Sequence, residues 1–110
     1  MFAKIVEPSI LINLNRSFRN LRTEEDLYEA TRKDWVIAPH QHNPQPRYAL
    51  SVFKGIVQQV YEIHAWLPSP TRPGRLLFEG VVAADKGHYL KQSVSHIKPR
   101  TTNPIKYVNC

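Results

Sequence analysis

The sequence predicts an α+β domain, a small, strongly bent mixed β-barrel of about five or six strands with two flanking helices. The first observation is period-2 alternation: Tyr48, Leu50 and Val52 interleave with Ala49, Ser51 and Phe53, and Val57, Gln59, Tyr61, Ile63 and Ala65 follow in the same rhythm. That spacing marks strands. The second is length. Residues 47–67 would reach about 70 Å if straight, whereas a domain of this size has a radius of gyration near ~13 Å. The run must fold back or bend, and Gly55 is where it can. The third is Thr23-Glu24-Glu25-Asp26, a hydroxyl followed three residues on by an acid, which opens a helix. Closing the sheet into a barrel would remove its exposed edges.

Each element follows from local chemistry. Ile5 to Leu14 reads as a first strand, and Pro8 within it argues for an edge, a bulge or a break. Arg16, Arg19 and Arg22 share one side of a short helical turn. The helix from Thr23 runs to about Lys33, with acids at the positive end of its dipole and Leu27, Ala30 and Thr31 facing inward. Trp35 to Ile37 is a short strand. Ala38 to Pro46, with Pro39, Pro44, Pro46, His40 and His42, is a loop. After the long central run, Pro68 to Gly74 makes a second loop and Arg75 to Ala84 the next strand. Gly80 within that strand marks a bulge or a close approach. Leu90, Val94 and Ile97 have helical spacing and predict a second helix over Tyr89–Ile97; Ile105 to Val108 is the last strand.

The whole chain of 110 residues reads as one domain, with 42% hydrophobic content, enough for one core. No run of apolar residues is long enough to span a membrane, and the N-terminus does not read as a signal peptide. The sole cysteine, Cys110, excludes an internal disulfide, and a cytoplasmic location is the expectation. Net charge is +6 and unevenly placed: residues 1–85 hold 10 Lys/Arg against 9 Asp/Glu, whereas residues 86–110 hold 5 basic side chains and no acid. Such a basic segment points to a polyanionic partner, unless it is simply a solvated face.

Several side chains are candidates for function. Trp35, beside Arg32 and Lys33, suits a pocket in which an indole stacks a base. Trp66 stands at a strand end beside a loop. Aromatics also dominate small cores, so either tryptophan has a plain packing explanation. Ser51 would line a barrel cavity or else face solvent. Asn103 would hydrogen-bond a ligand edge or turn its own backbone. His40 and His42 do not complete a metal-ligand spacing. Glu62 and His64 share a strand face as an acid–base pair or as plain solvated surface. Among catalytic motifs, no nucleophile elbow, phosphate loop or paired-carboxylate pattern is present.

The segments 24–35 (EEDLYEATRKDW), 48–63 (YALSVFKGIVQQVYEI), Trp66, 77–83 (LFEGVVA), 91–97 (KQSVSHI) and 103–110 (NPIKYVNC) resemble a family of small bacterial and phage proteins in the PUA-like superfamily, alongside the EVE, ASCH and YTH modules. The resemblance implies a bent barrel with helices at its ends, binding of RNA or DNA, and a base pocket bordered by Arg32–Trp35, Ser51, Phe53 and Trp66.

The expected function is therefore a nucleic-acid-binding module, not an enzyme, that recognises a modified or flipped base in an aromatic pocket. The pocket set is Arg32, Trp35, Ser51, Phe53, Trp66 and Asn103. Arg16, Arg19, Arg22, Lys91, Lys98, Arg100 and Lys106 would contact the phosphate backbone. No cofactor or metal is called for, and a membrane partner is not expected. Two alternatives remain open: a protein-binding, inhibitory factor of phage or mobile-element origin, and a small nucleotide-processing enzyme.

Overall fold

The computed structural model describes residues 2–14, 18–32, 35, 37, 39–41, 43–97 and 105–110, the side chain of His40 excepted. Arg16, Lys33, His42, Lys98, Arg100 and Asn103 lie outside the described residues. The fold is α+β. One five-stranded mixed sheet contains β1 (Ser9–Asn13), β2 (Tyr48–Phe53), β3 (Ile56–Pro68), β4 (Leu76–Val82) and β5 (Ile105–Val108), in the order β4-β3-β2-β1-β5. Among the described residues no pairing joins β4 to β5, so the sheet is open where a barrel was expected.

The long central run folds back on itself. Lys54 and Gly55 both have positive φ, 50° and 77°, the backbone signature of a type I′ hairpin turn. β2 and β3 therefore pair antiparallel. β1 and β2 pair parallel, from Ser9 against Tyr48 to Asn13 against Val52. Parallel neighbours need a crossover, and residues 14–47 supply it with α1 (Glu24–Arg32).

α1 starts as its sequence dictates. The Asp26 amide donates to Thr23 Oγ1 at 3.0 Å, and Asp26 Oδ2 accepts from the amides of Arg22 and Thr23 at 3.1 and 3.3 Å. This reciprocal cap satisfies amides that the first turn leaves unpaired. Leu27, Tyr28 and Thr31 turn toward the sheet. Ala30 does not join them, as the sequence suggested; it looks sideways with Asp26 and Glu29.

The sheet is covered on both faces. On one, Leu11, Leu50, Val52, Val57 and Val60 pack with Ala3, Ile5, Tyr89 and Val94. On the other, Ile10, Ile12, Ala49, Tyr61 and Phe78 pack with Leu27, Tyr28 and Trp35. Even alternation in β3 fails because two residues are inserted. Gln58 falls between the Val52–Val57 and Ser51–Gln59 pairs, and His64 between the Ile63–Gly80 and Ala65–Glu79 pairs. Each bulge reverses the parity of the following side chains. Val57 and Val60 thus share one face, while Tyr61, Ile63 and Trp66 share the other.

The helix expected over Tyr89–Ile97 is not formed. A 3₁₀ segment covers Ala84–Tyr89, and the chain then turns at Lys91, whose φ is 64°. Ser93 next bridges Phe2 and Ile56. Leu90, Val94 and Ile97 still reach the core, because this irregular segment lies against the sheet and donates to it. The Lys91 amide bonds the Val57 carbonyl and the Val94 amide bonds that of Gly55, at 2.9 and 2.7 Å.

Candidate functional site

A concavity of about 590 Å³, open to solvent, lies beside α1. Asp26, Glu29 and Ala30 line it from one side of the helix, Asn20 and Leu21 from the preceding segment, Trp35 from the residues after it, and Arg72 from the loop between β3 and β4. The helical contribution follows from spacing: residues 26, 29 and 30 stand at i, i+3 and i+4 and so share one face.

Trp35 is held from two directions. Its backbone bridges β4, its amide donating to the Leu76 carbonyl at 2.8 Å and its carbonyl accepting from the Leu76 amide at 2.9 Å. Its indole N–H donates to the Thr31 carbonyl at 2.8 Å, near the end of α1. A half-buried ring so fixed packs against the core cluster under α1 and still lines the groove. Arg72 is placed by a closed loop. Ser69 and Arg75 bond at 2.9 Å across it, and Ser69 Oγ accepts from the amides of Thr71 and Arg72 at 3.3 and 3.1 Å. Gly74, at φ 79°, supplies the left-handed step that lets the chain return.

Glu29 is steadied by Arg32, whose Nη1 lies 3.5 Å from Glu29 Oε1. Arg32 is itself fastened, with Nε donating to the Phe78 carbonyl at 2.9 Å and its guanidinium 5.2 Å from the Tyr28 ring centre. Among the described residues the groove thus carries two carboxylates, an indole and one guanidinium, and its wall segment is bracketed in sequence by the exposed Arg19 and Arg22.

Among the described residues of the expected pocket, Trp35 alone lines this groove. Arg32 points to β4, with Glu79 at 4.0 Å. Ser51 neither lines a cavity nor faces solvent: it is fully buried against Thr31 beneath α1. Phe53 stacks on Phe18, ring centres 4.4 Å apart. Trp66 packs edge-on to Phe78 at 5.6 Å, its indole N–H buried and unpartnered among the described residues. Asn103 lies outside the described residues.

The basic residues divide between the two faces of the sheet. Arg19 and Arg22 precede α1 on one side, and Lys91 belongs to the segment covering the other, its Nζ donating to Gln58 Oε1 at 3.3 Å. Lys106 is partly buried on β5, opposite Leu11. Glu62 and His64 do approach, at 3.7 Å, on exposed surface. Among the described residues no three His, Cys, Asp or Glu side chains gather closely enough to hold a metal ion, and no helix is long and apolar enough to cross a membrane.

No protein-family model, curated protein or solved structure matches the chain.

Sequence reasoning passed over Asn20, Leu21, Asp26, Glu29, Ala30 and Arg72 as site residues. The cap at Asp26 was legible, but the groove exists only because the 69–75 loop comes up beside α1, and no local pattern encodes that meeting.

Proposed function

We propose that the protein binds single-stranded or locally unpaired nucleic acid, taking one base into the Trp35 groove. One observation carries the reading: Trp35, held by two backbone hydrogen bonds and one from its indole N–H, lines an open concavity together with Arg72. A fixed aromatic face loses little freedom on stacking a base, and such stacking contributes about 1–3 kcal/mol per base. Arg72, with Arg19 and Arg22 on the flanking segment, supplies cations for the phosphates on either side. The net charge of +6 favours the same class of partner. The carboxylates inside the groove make the interior a reader of donor groups rather than a phosphate site.

The same reading extends to the fold. The mixed sheet, the two bulges in β3 and the helix laid over one face support a bent, PUA-like architecture. The modified-base specificity suggested by that resemblance belongs with it.

The test is fluorescence anisotropy with labelled ten-nucleotide DNA and RNA strands. Binding should weaken as salt rises, with a log–log slope near about −2 for three phosphate contacts. Trp35→Ala should weaken it about 5- to 150-fold, the equivalent of one lost stack. Absence of binding at low salt, or a Trp35→Ala protein that binds as well as the parent, would refute the proposal.

A further inference from the structure

We infer that Ser51 and Thr31, buried beneath α1, are positioning residues for the base-stacking face of Trp35. The inference rests on the base-binding reading above and adds to it what holds the indole at its angle. α1 ends at Arg32, so the carbonyls of its last turn lack partners within the helix. The Trp35 indole N–H takes one of them, donating to the Thr31 carbonyl at 2.8 Å. The tilt of the ring therefore follows wherever residue 31 is placed. The bridge to Leu76 fixes only the Trp35 backbone, and the side chain can still turn about its own torsions.

Residue 31 is placed by hydroxyls that do not line the groove. Thr31 Oγ1 donates to the Leu27 carbonyl at 2.7 Å, one turn back along α1, and lies 2.7 Å from Ser51 Oγ on β2. Both side chains are fully buried, so water does not stand in for either partner. Apolar packing under the helix is non-directional and by itself would let the last turn slide over the sheet. The hydroxyl pair is directional, and it ties that turn to β2, the middle strand of the sheet. Trp35 thus sits between two anchors, β4 through its backbone and β2 through Thr31. A ring restrained on both sides has less freedom to lose when a base stacks on it.

The experiment compares two ten-residue strands at low salt, one abasic throughout and one abasic except for a central adenine, read by anisotropy on the intact protein. Their phosphates are the same, so the ratio of the two affinities isolates the stacked base. In the parent protein that ratio should be about 5- to 150-fold, and Trp35→Ala should bring it to near one. Ser51→Ala and Thr31→Val, each lacking one hydroxyl, should cut it at least about three-fold, a part of one stack, and leave the fully abasic strand within about two-fold. Thr31→Ser keeps the hydroxyl and should keep the ratio. Val57→Ala, which opens the core on the other face of the sheet, should lower stability and keep the ratio too. Unfolding weakens both strands alike, so instability does not imitate the effect. A parent ratio retained in either Ser51→Ala or Thr31→Val overturns the positioning role and leaves base binding standing. A loss that Thr31→Ser or Val57→Ala shares overturns it as well. No binding by either strand, a parent ratio near one, or indifference to Trp35→Ala fails the base-binding reading itself.

Discussion

Ser51 Oγ and Thr31 Oγ1 lie 2.7 Å apart with both side chains fully buried, joining β2 to α1 through the middle of the core. The direction of this bond can be deduced. Thr31 spends its one hydroxyl proton on the Leu27 carbonyl, at 2.7 Å. The Ser51 hydroxyl must therefore donate to Thr31. The result is a one-way chain from Ser51 through Thr31 to the helix backbone. Burial pushes the nearby Tyr61 phenol up to about 12, with Glu24 and Tyr28 adding to the rise and the Ser51 hydroxyl opposing it.

Ser51→Ala leaves the buried Thr31 oxygen without its donor and should cost about 1–3 kcal/mol. Thr31→Val in the same background removes the stranded group. The double variant should therefore be more stable than the sum of the two single losses predicts, by at least about 0.5 kcal/mol. Urea unfolding of the four proteins measures this coupling. Additive losses would show that Thr31 and Ser51 do not act as a unit.

How much of this was legible in the sequence depends on range. The hairpin at Lys54-Gly55, the cap at Thr23 and Asp26, and β5 at Ile105–Val108 rest on neighbours in the chain, and these expectations stand. Pairing across the sheet was not legible. Val57 and Tyr61 looked like one face, yet the inserted Gln58 parts them, and a bulge is set by what the neighbouring strand needs. Leu90, Val94 and Ile97 mimicked a helix because an irregular segment docked on a sheet also buries residues at such intervals. Ser51 looked solvated only because α1 over that face was unforeseen. The groove was the least legible feature: Asp26 and Arg72 are far apart in sequence and meet by loop closure.

Glu7 should control the acid limb of stability. Partial burial raises its carboxyl, but hydrogen bonds from Lys86 Nζ at 2.8 Å and the Tyr89 hydroxyl at 2.7 Å prevail. With its own backbone amide and the Lys86 charge, they bring it from 4.5 down to about 2. The native state thus binds a proton less readily than the unfolded chain. The resulting stabilisation is complete above 4.5 and is lost as pH falls toward 2. In urea unfolding at a series of pH values, the parent protein should lose stability more steeply than Glu7→Gln across that window. The two should run parallel above it. Parallel curves throughout would remove Glu7 from the acid response.

At Gly80 β4 lies tight against the β3 backbone, and the position should not accept a side chain. A Cβ there would collide with the Glu62 carbonyl oxygen, which belongs to backbone and cannot swing aside. The opposite edge of β4 is closed by one stripe following α1: Tyr28 Oη accepts from the Gly80 amide at 3.0 Å, Arg32 donates to Phe78, and Trp35 bridges Leu76. Covering a strand edge this way keeps it from pairing with other chains. Gly80→Ala must push β4 away from β3 and toward that stripe, at a cost of about 1–3 kcal/mol. Tyr28→Phe, which only returns one amide to water, should cost about 1 kcal/mol. Because Trp35 is tied to the same strand, Gly80→Ala should also weaken strand binding in the anisotropy assay, whereas Tyr28→Phe should not. Thermal unfolding of both variants beside that assay decides the matter. A Gly80→Ala protein as stable as the parent would mean that β3 and β4 can separate freely at this point.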